Sequence, residues 1–551
     1  MKQSNSTIDF LFIISASLVC YFSFLGHIHL FDWDEINFAE CAREMIVTGD
    51  YWHVQIDFKP FHEKPPLFIW MQALSMQLFG INEYAARFPN AVCGLVTLLS
   101  LYFIGRKHVS RGFALAWVLT YIGSLLPHFY FKSGIIDPWF NYFIFISLYF
   151  IYRFFKSAEF KHLLIAGLFS GLAVFTKGPV AFLLLSITIF IFLFIETVQK
   201  KKPMRWLFWL KSGLLFTLLS FLFLGLWYGL DIIYNGPTLF YDFIAYQIRL
   251  MNTEDAGHGG FPGYHVVVLL IGCFPASFYF LYYLLKRKSL KQNQPLFLHW
   301  LLILFWVVLI VFSIVQSKIV HYSSLAYFPI TAFSAYLIYT WLNKKNTIPK
   351  AIQYPVLFFH LVLGILLSLV PFIPQSFIQS FLDKDPFAKA NFDVLLHWNP
   401  LSYGIAIFYT LCVLGLFLYV KRYPRTRLIY TGQFLFSLLF LHLFFWFYLG
   451  NIEKITQGTA INFFQSLKGK AVYTGVYGYK SYAPFFYAEV QPDSVFTNQS
   501  REEVLVHSSL KKPVYLVSKI NIEQSLLGNG FTELVRLNGF VFFIKDSTTI
   551  R

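Results

Sequence analysis

Charged residues are scarce in this sequence of 551 residues. They make up 13% of the chain, whereas a soluble protein of this length carries about 25%. Hydrophobic residues make up 57% and fall into long apolar blocks separated by short basic segments. A helix needs about 20 apolar residues to cross the roughly 30 Å hydrocarbon layer, and many blocks reach that length. The composition therefore excludes a soluble multidomain protein and predicts an integral membrane protein.

Cysteines and acidic residues are also few. The five cysteines lie mostly inside apolar blocks, which indicates packing residues and no disulfide framework. The formal net charge is +16, but the basic residues cluster in short connections between apolar blocks. That is the positive-inside pattern of membrane proteins and not the pattern of a nucleic-acid groove. We therefore expect membrane lipids as partners and no nucleic acid.

Hydropathy predicts about thirteen transmembrane helices, the first of them retained because its apolar run exceeds that of a typical signal peptide. They lie near 8–30, 84–105, 112–131, 135–155, 160–177, 178–198, 207–230, 264–285, 297–315, 322–342, 352–373, 401–420 and 427–448. Alternate connections are strongly basic and are assigned to the cytoplasm. The amino terminus is then cytoplasmic. The segments 31–83, 231–263, 316–321 and 374–400 and the tail after 449 are external.

The predicted fold class is an all-α polytopic membrane domain over 1–448, followed by a small external α/β domain over 449–551. The tail is more polar than the rest of the chain, and it alternates short apolar stretches with helix-like segments. Such alternation is typical of strands and helices packed in one small domain. No repeated halves are visible in the sequence.

The first external segment carries the first candidate catalytic residue, Asp34. Residues Phe38, Ala42 and Met45 share one face at helical spacing, so a helix lying along the membrane surface is predicted with its carboxylates on the other face. Asp34 stands where the first span exits, at the rim of the membrane. A role as a simple helix N-cap is an equally good interpretation of this residue by itself.

A second external signal is the run Glu63-Lys64-Pro65-Pro66, which comes directly before another apolar helix. A lysine at that depth suits the phosphate of a lipid headgroup. The alternative is that Lys64 only extends its side chain toward the membrane surface, which is the more common behaviour of such lysines.

The other candidates are polar residues placed at external ends of predicted spans. Acids inside membranes are costly and usually functional, although a capping role is open for the acid that precedes a proline. The residues are Asp137 before Pro138, Lys177 before Gly178, Lys318 and His321 in a tight turn, and His258 in a glycine-rich loop.

The predicted topology brings all of these residues to one face of the membrane. Carboxylates and cations together at a rim open to lipid suit group transfer from a phosphate-bearing lipid, in which the carboxylate orients or deprotonates an acceptor hydroxyl and the cations stabilise the departing phosphate. Glu63 and His258 would supply two ligands for a divalent metal ion.

At this point the sequence resembles a known family, the membrane glycosyltransferases of the GT-C type. The similar branch contains lipid A 4-amino-4-deoxy-L-arabinose transferase and bacterial relatives of dolichyl-phosphate-mannose protein mannosyltransferase. The matching motifs are Asp34-Glu35 with Ala39-Glu40, Glu63-Lys64-Pro65-Pro66-Leu67, Glu83 to Pro89, Phe175 to Gly178, Asp255 to His258, and Ser317-Lys318 with His321-Tyr322.

The resemblance implies Asp34 as the essential carboxylate and candidate base, Asp137 as a second acid of the same cavity, and Lys64 as a contact of the carrier phosphate. It associates Glu63 and His258 with a divalent ion. Lys177, Lys318 and His321 complete the donor-phosphate candidates. In contrast to this chain, the family often has Arg and Tyr in place of Asn37 and Phe38; the missing guanidinium would be a bidentate phosphate partner.

The resemblance implies an enzyme of the plasma (inner) membrane that transfers a sugar, with inversion, from a polyprenyl-phosphate donor to an external acceptor and uses no nucleotide cofactor. Lipid A or another envelope glycolipid is the first acceptor candidate. Transfer of mannose or another hexose to secreted protein or glycan is the alternative. A transporter or flippase of lipid-linked sugars is a third interpretation, but transporters usually bind near the midplane between repeated halves.

Overall fold

A computed structural model of the protein describes residues 2–200, 206–252, 259–286, 294–344, 347–394, 396, 398–423, 427–493, 496, 500–522 and 524–547. In the amino-terminal half the helices are α1 (Lys2–Ser17), α2 (Asp34–Thr48), α3 (Leu67–Phe79), α4 (Glu83–His108), α5 (Arg111–Ile122), α6 (Leu125–Phe129), α7 (Asp137–Ser157), α8 (Phe160–Lys177), α9 (Val180–Lys200), α10 (Trp206–Asn235) and α11 (Thr238–Asn252).

The remaining helices complete the membrane domain and enter the tail. They are α12 (Tyr264–Gly272), α13 (Ala276–Leu285), α14 (Leu296–Ile314), α15 (Tyr327–Asn343), α16 (Lys350–Leu369), α17 (Gln375–Gln379), α18 (Pro386–Asn391), α19 (Pro400–Arg422), α20 (Arg427–Leu443), α21 (Leu449–Glu453), α22 (Thr459–Ser466), α23 (Ala483–Tyr487), α24 (Arg501–His507) and α25 (Gln524–Leu527).

Local sequence signals explain several helix ends. The side chain of Asn82 accepts a hydrogen bond of 2.9 Å from the Ala85 amide and caps α4. Ser110 caps α5 in the same way through the Phe113 amide. These side chains satisfy amides that have no partner inside the first helical turn. The break between α8 and α9 falls at Gly178, whose φ of +101° suits glycine.

The polytopic all-α fold class is confirmed, but the count of thirteen spans is not. Among the described residues, nine helices are long and apolar enough to cross a membrane. A bent pair, α5 with the segment 125–132, brings the number to ten if it is one span, with a bend of 81°. At the bend a side chain on Gly123 would come within 2.7 Å of Phe434, so glycine permits close packing against α20.

Three predicted spans fall short for different reasons. The first becomes the short helical stretch Ser6–Phe22. The fourth is the helix α7, which is not among the nine apolar helices. The eighth breaks between α12 and α13 at Pro275, because proline has no amide hydrogen to continue the helix.

Helix α2 is buried from Glu35 to Met45, so the predicted polar face of this surface helix is covered and only Asp34 among its carboxylates stays accessible. Glu40, Arg43 and Glu44 are at most 1% exposed. Arg43 donates two hydrogen bonds of 2.7 Å to Glu40 and one of 2.8 Å to the Val490 carbonyl. The covering surface comes from α3 on one side and α23 of the distant tail on another. A local pattern cannot predict that cover.

The tail forms the small α/β domain that the sequence predicted. Its strands are β3 (Tyr473–Tyr477), β4 (Val514–Lys519), β5 (Thr532–Leu537) and β6 (Phe540–Lys545), while β1 (Gln55–Ile56) and β2 (Lys59–Pro60) form a separate hairpin in the first loop. The sheet order is β3-β4-β6-β5, with β3 and β4 parallel and the other pairs antiparallel.

The helical run Ile429–Ser466 continues past the predicted domain boundary at 448, and the sheet begins only at Tyr473. Arg501 of the tail donates a hydrogen bond of 2.6 Å to Asp57 between β1 and β2. This contact and the packing on α2 join the tail domain to the first loop.

A buried ion pair between Glu35 and Arg87 holds the base of that loop. Arg87 donates hydrogen bonds of 3.0 and 2.9 Å to the two Glu35 oxygens, and its other hydrogens go to backbone carbonyls of residues 25, 28 and 29. Glu35 also accepts from the amides of Phe31 and Gly134. Thus α2, α4, the first loop and the segment before Asp137 meet at one carboxylate.

We expect Arg87→Met to lower the free energy of unfolding by about 3–5 kcal/mol, because it leaves the buried Glu35 carboxylate without its partner. Thermal unfolding of the purified protein in detergent measures the effect. The matched control is Arg536→Met, since Arg536 pairs with Glu533 at the surface of the tail domain and should change stability by less than about 1 kcal/mol. Equal losses in both variants would contradict a special role for the buried pair.

Candidate functional site

One large cavity of about 1240 Å³ brings together most of the predicted site residues. Its walls come from the first loop, the external ends of several helices and the tail domain. The polar and charged lining residues include Asp34, Glu63, Lys64, Asp137, Lys177, Tyr246, Arg249, His321 and Lys480.

Two carboxylates and one imidazole form the centre of the cavity. Nε2 of His321 lies 3.6 Å from Oδ2 of Asp34 and 3.7 Å from Oδ2 of Asp137. These distances exceed hydrogen-bond lengths, so the ring stands between the acids without a tight bond to either. The side chain of Asp34 is 40% exposed and that of Asp137 only 3%. Water and substrates therefore reach Asp34 more easily than Asp137.

The ammonium group of Lys177 neutralises the buried acid. Its Nζ donates a hydrogen bond of 2.7 Å to Oδ1 of Asp137, and it lies 5.1 Å from the ring centre of Tyr322. Helix α8 ends at Lys177 and α7 begins at Asp137, so the antiparallel pair of helices presents both side chains at one end. The break at Gly178 fixes where that end lies.

Lys64 approaches the same cavity from the first loop. Its Nζ donates a hydrogen bond of 3.0 Å to the Tyr246 hydroxyl on α11 and lies 4.5 Å from the centre of that ring. Burial lowers the pKa of the Lys64 ammonium; the Glu63 carboxylate opposes this shift and Lys177 adds to it. A bound phosphate would pair with the Lys64 ammonium and so compensate for the hydration that the ammonium loses on burial.

Lys318 lies elsewhere, in contrast to its predicted place at the donor phosphate. Its Nζ donates hydrogen bonds to the carbonyls of Phe312, Ser313 and Val315, at the end of α14. Lys318 is not among the described residues that line the cavity. The side chain thus caps its own preceding helix, where a cation interacts favourably with the helix dipole.

The predicted metal pair is only half described. Glu63 lines the cavity, while His258 lies outside the described residues. Across the part of the chain that the structure describes, no group of three or more His, Cys, Asp or Glu side chains has the arrangement of a metal site. The described residues do not make up a complete ligand set, so the metal stays a prediction.

The cavity also has apolar walls. They include Val180, Leu183, Ile314 and Val315. Ile314 is 76% exposed and Leu183 46% exposed, which places apolar surface on the outside of the helices where lipid tails would lie. A molecule with an anionic headgroup and a hydrocarbon tail matches a cavity that has both cationic and apolar walls.

Several lining residues were not predicted from the sequence, among them Tyr246, Arg249 and Lys480. Tyr246 sits on α11, whose amphipathic pattern does not reveal a contact with Lys64. Lys480 sits in the tail domain, where no motif marked it. Arg87, by contrast, lies in the motif from Glu83 to Pro89, and its partner Glu35 lies in the motif that begins at Asp34.

The sequence is similar to several known proteins. Residues 63–227 match the family model of dolichyl-phosphate-mannose-protein mannosyltransferase. An uncharacterised protein of Aquifex aeolicus is 30% identical over 321 residues, which cover 58% of this chain and 70% of that protein. The undecaprenyl phosphate-alpha-4-amino-4-deoxy-L-arabinose arabinosyl transferase of Wigglesworthia glossinidia brevipalpis is 26% identical over 337 residues. That match spans 59% of this chain and 57% of the transferase.

The fold is similar to a solved structure over its whole length. The crystal structure of ArnT from Cupriavidus metallidurans bound to undecaprenyl phosphate aligns with a TM-score of 0.73 and 16% sequence identity. The alignment covers 98% of both chains. The membrane domain and the tail domain therefore occur together in the same fold.

Proposed function

The chain belongs to the family of GT-C membrane glycosyltransferases that contains the aminoarabinose transferases and the dolichyl-phosphate-mannose protein mannosyltransferases, and from this premise we propose its reaction. It moves a sugar from a polyprenyl-phosphate carrier to an envelope glycolipid, with lipid A as the first candidate acceptor. The aminoarabinose transferred by the named relative is the first candidate sugar.

One observation carries this proposal: the same cavity is lined by an accessible carboxylate, by cations and by apolar side chains. Asp34 is accessible, Asp137 is buried with Lys177, and Lys64 faces them from the first loop. The carboxylate can accept a proton from the acceptor, the ammonium groups can bind a phosphate, and the apolar walls can contact a prenyl tail. A volume of about 1240 Å³ exceeds the roughly 300–1,000 Å³ of pockets for drug-sized ligands, which agrees with a substrate larger than such ligands.

Asp34 is the proposed base. The acceptor O–H proton passes to the Asp34 carboxylate while the acceptor oxygen forms a bond to the anomeric carbon. The bond between that carbon and the carrier phosphate oxygen breaks, and its electron pair leaves with the phosphate. Attack opposite to the leaving group inverts the anomeric centre. Asp137 is less suited to this role because Lys177 already holds its carboxylate; we assign it to positioning Lys177 and His321.

Lys64 and Lys177 are the proposed contacts of the carrier phosphate. Negative charge grows on this phosphate as the sugar leaves, and prepositioned ammonium groups stabilise such charge more in a site shielded from water. Their positive charge is partly balanced beforehand by Asp137 and Glu63. The phosphate therefore does not enter a site of unopposed positive charge.

The proposed orientation places the cavity on the external side of the inner membrane. Helices α4, α7 and α8 each have one end at the cavity and the other at a basic cluster, which includes Arg106, Arg153 and Lys161. Basic residues favour the cytoplasmic side, so the opposite ends are external. The tail domain lies on the cavity side because it packs against α2.

The alternatives have less support. Transfer to secreted protein rests on the description of the family model, whereas the named relative, which is matched over 57% of its length, is an arabinosyl transferase. A transporter usually holds its substrate near the midplane on broken helices. Here the acids and cations gather at the helix ends that face the first loop.

We expect Asp34→Asn to lower the rate of sugar transfer by at least about 100-fold, because the amide cannot accept the acceptor proton. Purified protein is incubated with undecaprenyl-phosphate-aminoarabinose and lipid A, and the product is measured by mass spectrometry. Asp383→Asn is the matched control, since Asp383 is an exposed acid paired with Lys389 outside the cavity. Transfer at the parent rate by a folded Asp34→Asn protein would refute the assigned base.

We expect Lys64→Ala to weaken binding of undecaprenyl phosphate by roughly tenfold, because the phosphate loses one charge-assisted hydrogen bond. Titration of the purified protein with the lipid measures the dissociation constant. Lys59→Ala is the control: Lys59 lies in the same loop, 3.7 Å from Asp57 and away from the described cavity wall. Unchanged affinity in Lys64→Ala would remove Lys64 from the phosphate site.

A further inference from the structure

A histidine of the first loop lies between two carboxylates, in a separate pocket of about 330 Å³. Nδ1 of His53 is 2.7 Å from Oδ2 of Asp50, and its Nε2 is 3.1 Å from Oδ1 of Asp231. Asp50 precedes β1 in the first loop, whereas Asp231 lies in the last turns of α10. The imidazole ring therefore connects the first loop to a membrane-spanning helix, at a point that the proposed reaction does not use.

The two contacts together require a charged ring. An ionised carboxylate only accepts hydrogen bonds, and a neutral imidazole has one N–H donor and one nitrogen without hydrogen. Only the imidazolium form of His53 can donate to Asp50 and Asp231 at the same time. Burial by itself lowers the pKa of His53, but the carboxylates of Asp50 and Asp231 outweigh that effect and raise the pKa above its ordinary value.

A neutral His53 has a different set of partners. Asp50 is the nearer acceptor and also accepts a hydrogen bond of 3.1 Å from the His53 amide, so the remaining ring proton stays on Nδ1. Nε2 then presents a lone pair to the Asp231 carboxylate. The side-chain amide of Asn235, 3.2 Å from Nε2, can donate to that lone pair. Loss of one proton thus releases the contact with Asp231 but leaves the ring hydrogen-bonded.

The carboxylate of Asp231 depends on protein partners because its side chain is only 2% exposed. Across the pocket, His62 lies 2.7 Å from Asp242 of α11, so these two side chains pair with each other. Among the described residues, the charged groups that face His53 are therefore Asp50 from the first loop and Asp231 from α10. The charge of His53 decides whether the first loop and α10 attract each other here.

His53 stands at the base of the hairpin that leads to Lys64. The Phe61 amide donates a hydrogen bond of 2.8 Å to the Val54 carbonyl, so the two strands leave the hairpin side by side, and Lys64 follows shortly after. The tip of the hairpin is fixed separately, by hydrogen bonds to α2 and to the tail domain. A change in the position of the hairpin base therefore reaches Lys64 directly.

We propose that His53 is a positioning residue whose imidazolium clamps the first loop to α10 and so places Lys64 for the carrier phosphate. This inference rests on the proposed function, because it reads the position of Lys64 through that phosphate. The clamp is complete below about pH 6.5, the ordinary pKa of histidine, and is lost as the pH rises through the raised pKa of His53. On the proposed external side the pH follows the surroundings, so the protein binds its carrier most tightly in mildly acidic surroundings.

The test compares carrier binding by the parent protein and by full-length His53→Gln from about pH 6 to about pH 9, a range that spans the titration of histidine. The dissociation constant of undecaprenyl phosphate is measured by titration. The ratio of the variant's constant to the parent's cancels the titration of the lipid phosphate and of Lys64, which both proteins share. We expect this ratio to be roughly threefold to tenfold at the acidic end, the partial loss of one charge-assisted contact, and to approach one at the basic end.

The change is partial because one contact at the hairpin base does not titrate. The Trp227 indole of α10 donates a hydrogen bond of 3.2 Å to the Trp52 carbonyl. Substitution His53→Arg keeps a positive charge at every pH used, so this variant should retain the tight binding at the basic end. Substitution Asp231→Asn removes the carboxylate of α10 and should abolish the pH dependence in the same way as His53→Gln.

A matched control and a second measurement separate the clamp from other effects. His507 is an exposed histidine of the tail domain outside the described cavity wall, so His507→Gln should give a ratio near one at every pH. Hydrogen exchange of the amides in residues 54–62 is measured without lipid. Exchange should be faster in His53→Gln than in the parent protein at the acidic end and equal at the basic end.

Three results would overturn the inference. They are a ratio for His53→Gln that does not change with pH, an equal ratio for His507→Gln, and equal hydrogen exchange in the parent and His53→Gln at the acidic end. A parent protein that binds no undecaprenyl phosphate at any pH would instead contradict the proposed function. The hydrogen-exchange comparison would still report on the clamp in that case, so the two failures are distinguishable.

Discussion

The buried ion pair between Glu35 and Arg87 is the contact on which the geometry of the cavity depends. Arg87 binds three backbone carbonyls of the segment that leads to Asp34, and Glu35 accepts from the Gly134 amide, three residues before Asp137. The two acids of the site are therefore positioned by one carboxylate. A buried charge is costly without its partner, so this arrangement has little freedom to relax.

The cavity separates three kinds of surface that a lipid-linked group transfer needs. An exposed acid, Asp34, stands at the water-accessible side, while Lys177 is neutralised by the buried Asp137. The apolar wall extends toward the outer faces of the helices. Because carboxylates already pair with the cations, the protein avoids the cost of burying unpaired positive charge. The ammonium groups in turn stabilise the negative charge of the phosphate that forms during transfer.

The tail domain is part of the site and not an appendage. It covers α2, which explains why Glu40 and Arg43 are buried together and hydrogen-bonded. It also brings Lys480 and Tyr482 to the cavity wall. One domain thus completes the packing of the first loop and shapes the region next to Asp34.

The sequence by itself determined the membrane class, the small α/β tail and the placement of Asp34, Lys64, Asp137, Lys177 and His321 on one cavity, because hydropathy, basic connections and short motifs are local properties. Only the tertiary structure decided the role of Lys318, the burial of α2, and the contributions of Tyr246 and Lys480. Each of these depends on contacts between segments far apart in the chain, and no local pattern encodes which distant surface will cover a helix or meet a side chain.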